Sequence, residues 1–460
     1  MLALSSMITS PRLAILLTSL LLAGCVSVDG TTEANQARQT AAQFDAPIAP
    51  VDAPLPDTSE ILTQDGAAIL ALSRNPSLRA RLGDVGLARA EWAQAVLPPN
   101  PVAELTWFNP DGTGAILDAD LRAPLSALLG YPWRRAEARA RYDAAQTRAV
   151  LDVIDFAASA RLAWVEAVAA REAADLAERA MQSAGAALVV AEEIDAAGNA
   201  PGLDLARQRV MTLSAQAARD DAVQARFRAE MALFEIMAGA ALLPDRLPDP
   251  LPALDDDAFD AATEQALANN LLLISARRDA DAAARAAGYA NLDSLLGGAE
   301  LGAAFDRENG DTETGVSAHF DIPLFGLGHP ARAAAQIRAQ QAADSVTALE
   351  TEIRTALLVQ FAEMRWAEDR ASFMRNDYVP ATTAALDATM AQYNAMQIGV
   401  YGLLDAFDRQ VEAGRAYVDA MARYHRARIA VQSLIQGGSP QTFEPRAAAD
   451  GMAMSRPEGH

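Results

Sequence analysis

The residues able to do chemistry in this 460-residue chain are mostly acids, and many sit at alternating positions. Glu104 and Thr106 alternate with Ala103, Leu105 and Trp107. Asp118, Asp120 and Arg122 alternate with Leu117, Ala119 and Leu121. Later, Glu300 opposes Ala299, Leu301, Ala303 and Phe305, while Ser317, His319 and Asp321 oppose Val316, Ala318, Phe320 and Ile322. A period of two sends successive side chains to opposite faces of a strand, so the charges share one side. Such a face suits a water-filled lumen better than catalysis. Asp405 and Asp408 lie i and i+3 on a helix face, and spacing alone makes them solvated acids. No nucleophile stands with a base, no Gly-rich loop could cradle phosphate and no paired-carboxylate setting stands out. We therefore expect no enzyme and no cofactor. His319 and His329 fall in or beside the strand region without partners at ligand spacing, so no metal site is expected.

The elements that carry these residues form a repeating order. A helical stretch from Asp65 to Val96 stops at Pro98-Pro99-Asn100-Pro101, and the first two strands follow, turning at Asn109-Pro110-Asp111-Gly112. A long helix comes next: Leu151, Ile154, Ala158, Leu162, Val165, Ala169, Ala173, Leu176 and Ala180 step by three or four. From Arg134 to Ala197 it would run roughly 100 Å at ~1.5 Å per residue, a length that a tube needs and a compact globule does not. The second strand pair turns at Asn309-Gly310-Asp311, and Val346, Leu349, Ile353, Leu357, Phe361, Met364, Ala371 and Met374 mark a second such helix. Gly198 and Asp204 stand 201 residues before Gly399 and Asp405, and Asn75 opens a helix 195 residues before Asn270. The chain therefore reads as two copies of one unit, 58–245 and 255–436, joined across Pro244 to Pro252. Gly198-Asn199 and Gly399 read as caps that turn the chain at the ends of the long helices.

Composition narrows the function classes. The net charge is −22, from 38 basic and 60 acidic residues, and every basic residue is Arg. That acidity argues against a nucleic-acid binder, which needs a basic face, and against broad attachment to an anionic membrane surface. Aromatic residues make up only 6%, which suits thin packing between helices. A single Cys excludes a disulfide scaffold.

That Cys closes an amino-terminal segment with a basic lead at Arg12, an apolar run and Leu22-Ala23-Gly24-Cys25. The start is Met1 or Met7. The segment resembles a bacterial lipoprotein signal peptide, residues 1–24, which implies cleavage before Cys25 and a lipid on its sulfur. Val26 and Ser27 follow, without the Asp of inner-membrane retention, favouring the outer membrane. Residues 25–57, with four prolines, read as an extended lipidated tether, and 437–460 as a disordered tail. No later apolar run is long enough for a helical span, so any spanning falls to strands.

Together these features resemble the outer-membrane efflux protein family, of which TolC is the type, in its lipoprotein branch. The resemblance covers about 60–436. Its most specific stretch runs from Gly399 to Asp408, a Gly, five residues, Asp, two residues, Asp; Pro323-Leu324-Phe325-Gly326 supports the branch. The resemblance implies a mainly α fold with a membrane β-barrel contribution. Two tandem repeats of helix, β-hairpin and long helical hairpin would assemble as a homotrimer with a 12-stranded barrel and an α-helical periplasmic tunnel. It places Asp405 and Asp408 at the family's periplasmic gate, with Asp204 the counterpart in the first copy and Arg207 where a second acid would stand. It implies that the tips at Gly198, Asn199 and Gly399 contact a periplasmic adaptor. Glu104, Asp118, Asp120, Arg122, Glu300, His319 and Asp321 would face the lumen.

The function expected is an outer-membrane exit duct of a tripartite efflux or type I secretion system. An inner-membrane transporter, reached through the adaptor, would supply the energy. Metal ions, drugs and proteins all remain open as cargo. Two alternatives stay open: a periplasmic adaptor, which would show lipoyl and barrel segments around one helical hairpin, and a structural coiled-coil envelope lipoprotein, which would not need four alternating strands.

Overall fold

The computed structural model describes residues 30–44, 55–57, 60–98, 100–108, 116–124, 129–197, 202–248, 256–296, 299–308, 311–319 and 329–440. Cys25, the signal peptide and the end of the tail from 441 lie outside them, as do Gly198, Asn199, Asp321 and most of the turn residues between paired strands.

Helices dominate. In chain order they are α1 (Gly30–Phe44), α2 (Gln64–Arg74), α3 (Pro76–Val96), α4 (Tyr131–Ala196), α5 (Gly202–Met237), α6 (Asp256–Asn269), α7 (Leu271–Leu296), α8 (His329–Phe373), α9 (Val379–Asn394) and α10 (Val400–Ile435). Four strands separate them: β1 (Val102–Phe108) and β2 (Ile116–Pro124) before α4, and β3 (Glu300–Glu308) and β4 (Asp311–His319) before α8. The strands form one antiparallel sheet in the order β1-β2-β3-β4. No described helix is long and apolar enough to cross a membrane.

The chain divides into two units. The first takes in residues 82–146 and 275–346 with the chain up to Gln36, and holds the sheet. Here the stretch expected to be an extended tether departs from expectation, because residues 30–44 are helical. Its Ala, Gln, Glu and Arg residues favour a helix, and the four prolines behind the extended reading all lie beyond it, at 47, 50, 54 and 56. Tertiary contacts place the helix: Tyr142 donates its hydroxyl to Glu33 at 2.7 Å, and Arg89 pairs with Glu33 at 3.6 Å. Trp92 stacks on Tyr142 with ring centroids 5.6 Å apart, and the guanidinium of Arg89 lies 4.3 Å above the Trp92 ring. Burial and the Glu33 hydrogen bond push the Tyr142 hydroxyl up to about 12.

The second unit, residues 37–81, 147–274 and 347 onward, holds the main apolar core. Leu62, Leu70, Trp164, Val165, Val168, Leu233, Met237, Val418 and Ile429 pack into one cluster, and Phe361, Met364, Tyr424 and Val431 into another. The stripes expected on the long helices are the buried ones: Ile154, Ala158, Val165, Ile353, Leu357 and Met374 are all nearly inaccessible. α4 runs 66 residues. α8 continues through a π turn, Met374–Tyr378, into α9, a span of the same length. In the π turn the Val379 amide reaches back five residues to the Met374 carbonyl. Pro380 follows at once, and the wider turn accommodates a ring that would clash in a regular helix.

Two asparagines tie helix ends together. Asn75, between α2 and α3, donates to the carbonyls of Glu235 and Ile236 at 3.1 and 2.8 Å and accepts from the Ser77 amide. Asn270, between α6 and α7, donates to the Gly438 carbonyl at 3.2 Å and accepts from the Leu273 amide at 2.9 Å. Each caps one helix while bonding to carbonyls where α5 or α10 ends. Near the start of α2, Trp164 donates to the Leu62 carbonyl and Ile61 bridges Leu242, and in the connecting segment His425 bonds the Pro248 carbonyl at 2.9 Å.

Candidate functional site

Strand register puts the expected charged residues side by side. Glu104 pairs with Asp120, Thr106 with Asp118 and Val102 with Arg122. Asp118 pairs in turn with Asp306 and Arg122 with Gly302; Gly302 pairs with Ser317 and Glu300 with His319. Directly opposed residues project to the same side, so Glu104, Asp118, Asp120, Arg122, Glu300 and His319 lie on one face. Arg122 binds Asp120 at 2.9 Å and Glu104 at 3.1 Å, and Ser317 donates to the other Asp120 oxygen at 3.2 Å. That last bond passes over β3 at Gly302. A Cβ there would lie 2.6 Å from Ser317 Oγ and 2.7 Å from the Leu121 carbonyl oxygen, so only glycine fits.

Asp306 and Glu313 belong to this face too, although sequence reasoning did not single them out. Gly302 and Ala304 interrupt the polar alternation ahead of Asp306, and Thr312 and Thr314 dilute the apolar one in β4. Counting by twos onward from Glu300 would have found Asp306.

The opposite face is apolar and bare. Leu105 is 71% exposed, Trp107 74% and Val316 82%, with Leu121 and Leu301 about half exposed. The two edges are open within the chain, since β1 and β4 each pair on one side only among the described residues. Among those residues no group of three His, Cys, Asp or Glu is placed to hold a metal ion.

The second group of expected residues lies where α9 turns into α10. Asp405, Asp408 and Arg409 are exposed on one stripe of α10. Arg409 pairs with Asp405 at 2.9 Å, i to i+4. The Asp408 carboxyl is pushed above the ordinary aspartate value, first by desolvation and then by the charge of Asp405.

Gly399 caps a long helix as expected, but it is not the residue that turns the chain. It stands at the N-cap of α10 with φ −79 and ψ 166, extended backbone open to any residue, and a Cβ there would meet nothing. The left-handed residue of the turn is Met396, at φ 57 and 94% exposed. The Met396 amide bonds to Tyr393 and the Gln397 amide to Gln392, a Schellman ending for α9 with Met where Gly is usual. Asp204 lies in the first turn of α5, its side chain outside the described set; Arg207 is exposed.

No protein-family model matches the sequence, and no curated protein matches it. Solved structures match at the level of fold. The outer-membrane channel OprN superposes with a TM-score of 0.67 at 18% identity, covering 87% of this chain and 92% of its own. CusC, described through folding and transmembrane channel formation, gives 0.63 at 17% identity, covering 82% and 92%. The open state of the MtrE outer-membrane channel of Neisseria gonorrhoeae gives 0.64 at 18% identity, covering 82% and 90%. A mostly helical chain with one small antiparallel sheet, matched over nearly the full length of these structures, has the fold of the solved outer-membrane channels.

Proposed function

We propose that the protein is an outer-membrane exit duct, a passive channel completing a tripartite efflux or type I secretion system. The observation that carries this reading is the sheet: one acidic face, one exposed apolar face and two open edges. In lipid every backbone donor and acceptor must be paired, which closure alone achieves. Four strands are too few for a water-filled barrel. Three copies would supply twelve, with the Glu104–Arg122–Asp120 face towards water and the Leu105–Trp107–Val316 face towards acyl chains. A structural coiled-coil lipoprotein would have no use for such a sheet.

The helices support assembly in the same way. Val210, Leu213 and Phe227 of α5, and Leu358 and Trp366 of α8, are more than half exposed in the single chain. Apolar surface on that scale marks contact with a partner, here further copies of the chain, whose helices would form the periplasmic tunnel. The tandem-repeat reading draws on the matching roles of Asn75 and Asn270, and on the equal spans of α4 and of α8 through α9. In this account Cys25 carries the lipid anchor. Asp405 and Asp408, with Asp204, form the periplasmic gate. The tips at Gly198, Asn199 and Gly399 meet an adaptor that links the duct to an inner-membrane transporter.

Planar-bilayer recording tests the function. Folded protein should give discrete unitary currents, and Asp405→Ala with Asp408→Ala should change conductance or cation preference. Silent bilayers from folded oligomer would count against the duct.

A further inference from the structure

The exposed stripe of α10 carries Tyr401, Asp405, Asp408, Arg409 and Glu412. Arg409 is the one cation of this group, and its guanidinium lies 2.9 Å from the Asp405 carboxylate. The residue 201 positions earlier is Gln208, which is buried and donates to the Ala184 carbonyl. The first copy therefore has no charge in that place. Arg207, the counterpart of Asp408, is exposed.

We propose that Arg409 sets the charge selectivity of the gate by cancelling Asp405 on the same helix face, leaving Asp408 as the uncancelled aspartate that α10 brings to it. This rests on the duct reading above. An exposed i, i+4 pair contributes little to stability, and none is required of it. What matters is the position of a fixed positive charge, since discrimination between cations and anions follows the net charge lining the narrowest ring. In an oligomer, one Arg409 per chain halves the negative charge that Asp405 and Asp408 bring. The gate would then be only mildly cation-favouring, and solutes of either sign could pass.

Reversal potentials across a potassium chloride gradient test it in bilayers holding the whole protein. Arg409→Gln should raise the potassium-to-chloride permeability ratio by roughly 2-fold or more, the scale expected of a kT-sized change in ring potential. Arg409→Lys should keep the wild-type value, and Asp405→Asn with Arg409→Gln should return close to it. Channels of Arg409→Gln that conduct with wild-type reversal potential overturn this inference and leave the duct standing. Silent bilayers from folded wild-type protein overturn the duct, and this inference with it.

Discussion

His425 is 4% exposed and bonds the Pro248 carbonyl with Nε2. Its pKa is lowered, chiefly by desolvation; the Pro248 bond opposes the shift and the Arg428 charge adds to it. A histidine that resists protonation when folded takes up its proton more readily once unfolded, near 6.5. The unfolded chain therefore binds more protons there, and stability falls as pH drops through that value. Urea midpoints of the helical signal should decline between pH 7.5 and 5.5, and His425→Gln should make that decline shallower; an identical slope would remove His425 from the account. Nothing in the local sequence marks this residue, because its partner lies 177 positions away. The charged strand residues were legible for the opposite reason: a period of two is written into neighbouring positions. The Met396 turn escaped because Gly399 drew attention to the wrong end of it.

Among elements, the long helices and four strands were readable from periodicity, and the buried stripe from Ile353 to Met374 follows the expected spacing. Strand order and register were not, since they depend on pairings between strands far apart in sequence, such as Asp118 with Asp306. α1 was missed because the prolines at 47, 50, 54 and 56 were read across the whole of 25–57, although the Ala, Gln and Glu before them favour a helix. The paired asparagines give a test at this scale. Asn270→Ala would leave the Gly438 carbonyl and Leu273 amide without their partner, at a cost of about 1–3 kcal/mol, and Asn75→Ala should cost a similar amount. Shifts in the urea midpoint measure both. A cost confined to one of them would weaken the reading of two equivalent copies.

At the scale of the molecule, a chain of net charge −22 exposes much apolar surface, and the two are kept apart. The acids gather on one face of the sheet and on helix surfaces, while Leu105, Trp107 and Val316 cover the other face. The central claim is that this sheet is an arc closed by further copies of the chain. Its edges, β1 and β4, offer the most direct test. In membranes containing Leu105→Cys with Val316→Cys, a short bis-maleimide should link protomers edge to edge. Bands at two and three times the chain mass should then appear in denaturing gels, absent with Leu105→Cys alone or Val316→Cys alone. A ladder of that kind is the expected result; chain-mass bands alone, from folded protein whose cysteines have reacted, would contradict closure.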